Sequence, residues 1–494
     1  MIDDPTFATA TELVGALSDR ELSSRELLEL GLQRIEQVDG DVNSFVTVDA
    51  EGARARASAA DDARARGDEL GPLHGLPMTI KDCFETEGIR TTVGAPFLAD
   101  YVPARDADAV ARLRAAGAIV YGKTNLPMFT ADGQAYNEVA GTTNNPWDLS
   151  RTPGGSSGGA AAALAAGMTP LELGSDIAGS IRIPASFCGV YGLKPSYGLI
   201  PLRGHIPGPP GTLAPADINA LGPLARGVDD LELALDVLAG PGDADTVAWR
   251  LSLPPARRRS LGEYRLTVWL DDEACPVDRE VVATLRAAVD ALANAGAQVE
   301  EAPPPVSMRD SIRLHRMLLK GVSCSGLTDE QFATLGEIAR RADPDDDEIH
   351  VRHARWLTMS KRDWNAANEE RAQARARWAE FFSEHDAFLS PTILCTAIPH
   401  DHEPDMEARV IDVNGEPREY WEQVCWIAPA GAAYLPAVSL PVGRGASGLP
   451  VGLQVTAPYL EDRTAVDVAR RIGEVVGGFV PPPAYATVPA GREP

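Results

Sequence analysis

Apolar residues recur at helical spacing through Leu27, Leu28, Leu30, Leu32, Ile35 and Val38, behind a Ser23/Glu26 pair with capping-box spacing, and predict an amphipathic helix. Phe45 to Val48 reads as a short strand, and the Ala/Arg-rich run 51–67 as a second helix. Beyond it the pattern alternates: a strand over 76–81 ending at Lys81-Asp82, a helix over 108–116, a strand over 119–121, and an Ala-rich helix over 160–166 directly behind a Gly/Ser run at 154–159. A Gly/Pro-rich loop is expected at 203–215, an amphipathic helix at 229–238, a strand at 264–270 and a long helix at 278–295. Thr328/Gln331 and Ser360/Asp363 repeat the capping spacing, the latter opening one long helix over 361–382. The apolar run 387–389 is expected to stop at Ser390-Pro391; 436–441 and 452–457 are further strands, and the tail 477–494 is expected to be irregular.

Strands alternating with helices specify an α/β fold. No repeat and no linker divides the chain, so a single domain over 1–494 is expected, with 1–70 as a helical support region that supplies no chemistry.

Composition narrows the function. Of 494 residues, 44% are hydrophobic and 23% charged, the balance of an ordered globular protein. With 45 basic and 71 acidic side chains the net charge is -26, which disfavours nucleic acid as a partner. The Arg-rich stretches 53–67 and 371–377 read as solvated helix faces. Six dispersed cysteines without a CxxC pair point to reduced thiols in a cytoplasmic protein, not to a metal site or a disulfide framework. No export signal and no stretch of 18 apolar residues suggests a membrane partner.

Two glycine-rich passages carry candidate chemistry. Gly154 to Gly159 precedes a helix whose first N–H groups lack intrahelical partners, so it suits an oxyanion or a phosphate as readily as a plain linker. The Gly-Lys-Ser/Thr of a nucleotide-binding loop is absent. Gly174 to Arg182 contains Asp176, Ser180 and Arg182, residues that serve turns as often as catalysis, and no GxSxG motif is present. Only five of the 45 basic residues are lysines: Lys81, Lys123, Lys194, Lys320 and Lys361. A desolvated lysine becomes a neutral base and an arginine does not, which sets Lys81 at an apolar strand end against a plain salt bridge with Asp82.

The ordered set Lys81-Asp82, Gly122 to Asn125, Gly154 to Gly159, Gly174 to Arg182, Gly189 to Ser196 and Gly448 to Gln454 resembles the amidase signature family. The resemblance implies a central mixed β-sheet flanked by helices with the signature core, over 71–230; the more helical stretch 300–385 is expected to be a substrate-side insert. It implies Ser180 as nucleophile, Ser156 after a cis peptide as relay, Lys81 as base, and backbone N–H groups of Ile177, Ala178, Gly179 and Ser180 as the oxyanion hole. Asp176 and Arg182 would organise this core, with Ser157 and Ser175 beside them, while Lys123 and Lys194 would support the fold. No cofactor, metal or catalytic histidine is implied, despite His74 and His205. Ala178 replaces a frequent glycine, and Gly431 and Tyr434 stand where asparagine and glycine are common. Met128, Phe129, Trp421, Trp426 and Tyr434 are candidates for lining a substrate channel, with core packing the alternative for each. The activity implied is hydrolysis of a carboxamide to a carboxylate and ammonia or an amine; the aromatic and apolar candidates favour a small hydrophobic or aromatic substrate, and a homodimer is the general expectation for a soluble enzyme. The rivals are the amidase-like subunit of a tRNA-dependent amidotransferase and a noncatalytic assembly protein on the same scaffold.

Overall fold

The computed structural model describes residues 4–206 and 209–486. Eleven strands form one sheet in the spatial order Phe45–Val48, Ile119–Thr124, Pro77–Lys81, Leu171–Asp176, Ala220–Ala225, Tyr191–Lys194, Ala437–Arg444, Pro450–Thr456, Ala387–Pro391, Arg265–Val268, Gln298–Glu301. Pairing is mixed: Pro77–Lys81 runs parallel to both of its neighbours, whereas Leu171–Asp176 and Ala220–Ala225 are antiparallel. Every residue of Pro77–Lys81, Ile119–Thr124 and Leu171–Asp176 is buried, as expected of strands covered on both faces.

The helix boundaries follow their local signals. The three capping boxes expected at Ser23/Glu26, Thr328/Gln331 and Ser360/Asp363 all form, opening Ser24–Val42, Asp329–Arg341 and Lys361–Glu384. The last two follow Met308–Ser323 in a run of four helices that also includes Ile349–Leu357. The inner side of this run packs Leu314, Leu318, Trp378 and Phe382 against Ala430, Leu435 and Ala437.

Two expectations, at Ser390-Pro391 and in the tail, need correction, and two other passages take shapes that the sequence pattern left open. Ser390-Pro391 does not stop its strand, because Pro391 still pairs with Leu453 at the strand's last position, where a missing N–H is tolerated. The 174–182 passage divides: its first three residues complete the strand Leu171–Asp176, and Arg182–Cys188 begins a helix. Ala220–Ala225 lies in the middle of the sheet although it contains Gly222-Pro223. Within the tail, Pro483–Ala486 forms a helical turn; 487–494 lie outside the described residues, as do 207–208 of the expected loop.

Candidate active site

Pro77–Lys81 and Leu171–Asp176 are adjacent and parallel, Thr79 opposite Glu172 and Ile80 opposite Leu173. Their C-terminal ends leave the same edge of the sheet, the edge where α/β proteins assemble ligand sites. Lys81 closes one strand and Asp176 the other, so the turn leading to Ser180 starts beside the lysine.

Ser156 reaches this edge on the Gly/Ser run. Gly154 has φ 84°, and the Gly155–Ser156 peptide is cis. Glycine is required at 155, since a Cβ there would lie 2.5 Å from the Gln134 backbone nitrogen and 2.7 Å from the Asp132 carbonyl oxygen. Helix Gly158–Ala165 follows, buried along its whole length.

Lys81 Nζ donates to Ser156 Oγ at 2.7 Å and to Ser175 Oγ at 3.1 Å. Lys81 and Ser156 are fully enclosed, and Ser180 is 7% exposed. Burial drives the Lys81 amine from its ordinary 10.5 down to about 8, against the opposing pull of Cys83, Asp176 and Glu172. Desolvation also lowers Lys123 to about 8 and Lys194 to about 7. Geometry separates the three. Lys123 Nζ is held by the Phe84 carbonyl and the hydroxyls of Thr86 and Thr91, and Lys194 Nζ by the Pro195 carbonyl, whereas Lys81 meets serine hydroxyls.

Asp176 organises the following turn. Its carboxylate accepts from the N–H of Gly179 at 2.9 Å, from those of Ile181 and Arg182 at 3.2 and 3.3 Å, and from the Arg182 guanidinium at 2.8 and 2.9 Å. Burial opposes the Asp176 charge, but the Arg182 guanidinium outweighs it and holds the carboxyl well below the usual range. Arg182 also donates to the Ile427 carbonyl and to Gln454 Oε1.

This geometry revises the expected oxyanion donors. The Gly179 N–H is engaged by Asp176, so Ile177, Ala178 and Ser180 are left with N–H groups that make no hydrogen bond among the described residues. The turn's left-handed residue is Gly179, at φ 89°; Ala178 is not in that region, so its methyl group brings no backbone strain. Ser157 N–H donates to the Ser180 carbonyl at 3.1 Å, and Ser157 Oγ to the Ser175 carbonyl at 3.4 Å. Ser180 Oγ makes no hydrogen bond among the described residues, so the side chain is free to rotate towards Ser156.

The amidase family profile matches residues 26–466. The chain belongs to the amidase family. This amidase is 35% identical to a glutamyl-tRNA(Gln) amidotransferase subunit from Moorella thermoacetica, over 94% of its own length and 95% of the relative's. Among solved structures it is similar to a bacterial aryl acylamidase of the amidase signature family, with TM-score 0.80 and 26% identity over 99% of each chain. It is also similar to a 6-aminohexanoate cyclic dimer hydrolase, with TM-score 0.76 and 28% identity over 99% of each chain. It is accordingly a carbon–nitrogen hydrolase of the serine-dependent amidase type.

The channel candidates divide. Met128 is 48% exposed, and Phe129 packs on the exposed Phe97 at 5.8 Å between ring centroids. Trp421 is half-buried, edge-on to Tyr420, with its carbonyl taken by Arg316. Trp426 does not fit a channel: it is 1% exposed in the main core, and its indole N–H donates to the Cys275 carbonyl at 3.1 Å. Tyr434 has φ 65°, stacks on Tyr197 at 4.2 Å and bonds Asp217 through its hydroxyl, while Asp217 is also paired with Arg371 of helix Lys361–Glu384. It ties helix Lys361–Glu384 to the core. The histidines singled out in the sequence are engaged elsewhere, His74 with the Ala60 carbonyl and His205 with Asn219. A cavity of about 520 Å³ lies between helices Met308–Ser323, Asp329–Arg341 and Ile349–Leu357, walled by Met317, Phe332, Trp356 and Met359 and not by the Lys81–Ser156–Ser180 group. Sequence reasoning missed His315, which bonds the Ile177 carbonyl from helix Met308–Ser323; no local motif marks it.

Among the described residues no helix is long and apolar enough to cross a membrane.

Proposed function

We propose that this amidase hydrolyses a carboxamide through an acyl-enzyme on Ser180. Neutral Lys81 takes the Ser156 proton as Ser156 takes that of Ser180, and Ser180 Oγ attacks the amide carbonyl. The tetrahedral oxyanion is met by the free N–H groups of Ile177, Ala178 and Ser180. Collapse breaks the C–N bond, the relay runs backwards to protonate the leaving nitrogen, and water then releases the carboxylate by the same steps. The observation that carries the reading is the buried 2.7 Å contact between Lys81 Nζ and Ser156 Oγ, one strand away from the Ser180 turn. In this reading 71–230 is the reacting core, and 300–385 the substrate-side insert of a single domain.

The substrate proposed is a small hydrophobic or aromatic amide. The exposed Met128 and the Phe97–Phe129 pair support it, as does similarity to an aryl acylamidase. The enzyme is proposed to act in the cytoplasm as a homodimer on free small molecules; six cysteines without a disulfide suit a reducing compartment. The likeness to a glutamyl-tRNA(Gln) amidotransferase component favours one alternative, in which the chain works only with a partner and tRNA. Ammonia or amine release by the purified chain across a panel of aryl and alkyl amides, with Ser180→Ala as control, tests both. Release lost in the control supports the hydrolase. Release only with partner and tRNA supports the alternative, and unchanged release by Ser180→Ala refutes the nucleophile.

A further inference from the structure

We propose that His315 is a positioning residue that aims the Ala178 N–H at the oxyanion, and that Gly431 exists to admit it. The inference rests on Ser180 being the nucleophile. His315 Nε2 lies 3.0 Å from the Ile177 carbonyl oxygen, and its ring is completely enclosed. A carbonyl only accepts, so Nε2 carries the proton and Nδ1, which has no partner among the described residues, is bare. Burial pushes the ring down to about 4, so it stays neutral and the donor persists across the neutral range, with Arg182, Asp176 and Arg316 the charges that bear on it.

The consequence follows from peptide planarity. The Ile177 carbonyl and the Ala178 N–H belong to one trans peptide unit and point in opposite directions. Fixing the carbonyl on His315 therefore fixes the N–H away from it. That N–H makes no hydrogen bond among the described residues. Asp176 holds the next peptide, Ala178–Gly179, through the Gly179 N–H, so Ala178 is flanked by two fixed peptide units, one held by the imidazole and the other by the carboxylate.

Gly431 supplies the space. In the buried helix Ala428–Ala432, a Cβ at 431 would lie 2.9 Å from both Cδ2 and Nε2 of His315. The ring would have to shift, and with it the Nε2 that faces the carbonyl. Glycine at 431 and histidine at 315 are thus a matched pair.

The test measures kcat and KM separately, together with affinity for a boronic acid that forms the tetrahedral adduct. His315→Leu should lower kcat and boronate affinity by about 10²-fold, the scale of a lost oxyanion donor, with KM nearly constant. His315→Gln, which keeps an N–H donor, should recover at least tenfold, and Gly431→Ala should reproduce much of the loss by displacing the ring. Wild-type kcat in His315→Leu or Gly431→Ala, or loss in thermal stability with kcat unaffected, overturns the proposal. If His315→Leu fails to fold, the contrast between His315→Gln and Gly431→Ala decides. Activity surviving in Ser180→Ala sinks the underlying nucleophile instead, so the two failures are distinguishable.

Discussion

Replacing Lys81 by Met should abolish turnover and at the same time relieve a burden on the fold. Lys81 is fully buried, and desolvation lowers its amine from 10.5 to about 8. That difference corresponds to about 3 kcal/mol of unfavourable free energy below pH 8, because the unfolded chain accepts a proton that the folded site resists. Between about pH 8 and 10.5 the unfolded chain holds the proton and the folded one does not, so stability rises with pH through this window and the cost fades. Met fills a similar volume without the charge, losing two hydrogen bonds, to Ser156 and Ser175, of about 1 kcal/mol each. Lys81→Met should therefore be more stable than the native enzyme by about 1 kcal/mol at pH 7. The sharper readout is proton uptake on unfolding, obtained from calorimetric enthalpies in buffers of different ionisation heat. At about pH 9 the native chain should take up about 0.9 proton more than Lys81→Met, and at pH 7 about 0.1. Equal uptake at pH 9 would show that Lys81 titrates like an exposed lysine and would remove the physical basis for its role as base.

Three further outcomes follow from the same geometry. The kcat/KM profile should climb as pH rises through about 8, as Lys81 becomes neutral, and Lys81→Met should leave no such limb in any residual rate. Asp176→Asn leaves the Arg182 guanidinium buried without its counter-ion and replaces one of the two acceptor oxygens that hold the turn, and should cost about 3–5 kcal/mol in denaturant titration while lowering kcat. Gly155→Ala drives a methyl group against backbone at 2.5 Å, which a rotamer change cannot relieve; its activity should fall by more than tenfold while secondary structure by circular dichroism persists.

What could be read in the chain is what local physics encodes. Capping boxes at Ser23, Thr328 and Ser360 open helices because both partners lie within one turn. Ser156 and Ser180 stood out only through an ordered resemblance; the parallel pairing of Pro77–Lys81 with Leu171–Asp176 sets Lys81 beside the strand that leads to Ser180, and the Gly/Ser run before helix Gly158–Ala165 delivers Ser156 to Lys81. The missed elements are those in which tertiary contact overrides a local rule. Gly222-Pro223 argues against a central strand, yet a Cβ at Gly222 would sit 2.0 Å from the Leu193 carbonyl oxygen, so the close approach of neighbouring strands selects the glycine. Trp426 looked like a ligand contact because an aromatic residue near a signature passage has no local mark distinguishing core from channel; only its bond to Cys275, 151 residues earlier, does.

Tyr434 shows the same limit at the level of backbone. Standing where glycine is common, it keeps the left-handed conformation, φ 65°, that favours glycine. Its side chain supplies compensation that glycine could not: the stack on Tyr197, the hydroxyl bond to Asp217, and the Arg371 guanidinium 4.4 Å above the ring. Asp217 also pairs with Arg371, so these contacts join the core to helix Lys361–Glu384. A departure from a motif is thus read correctly only with the contacts that surround it, and here those contacts come from 63 residues upstream at Arg371 and 217 upstream at Asp217.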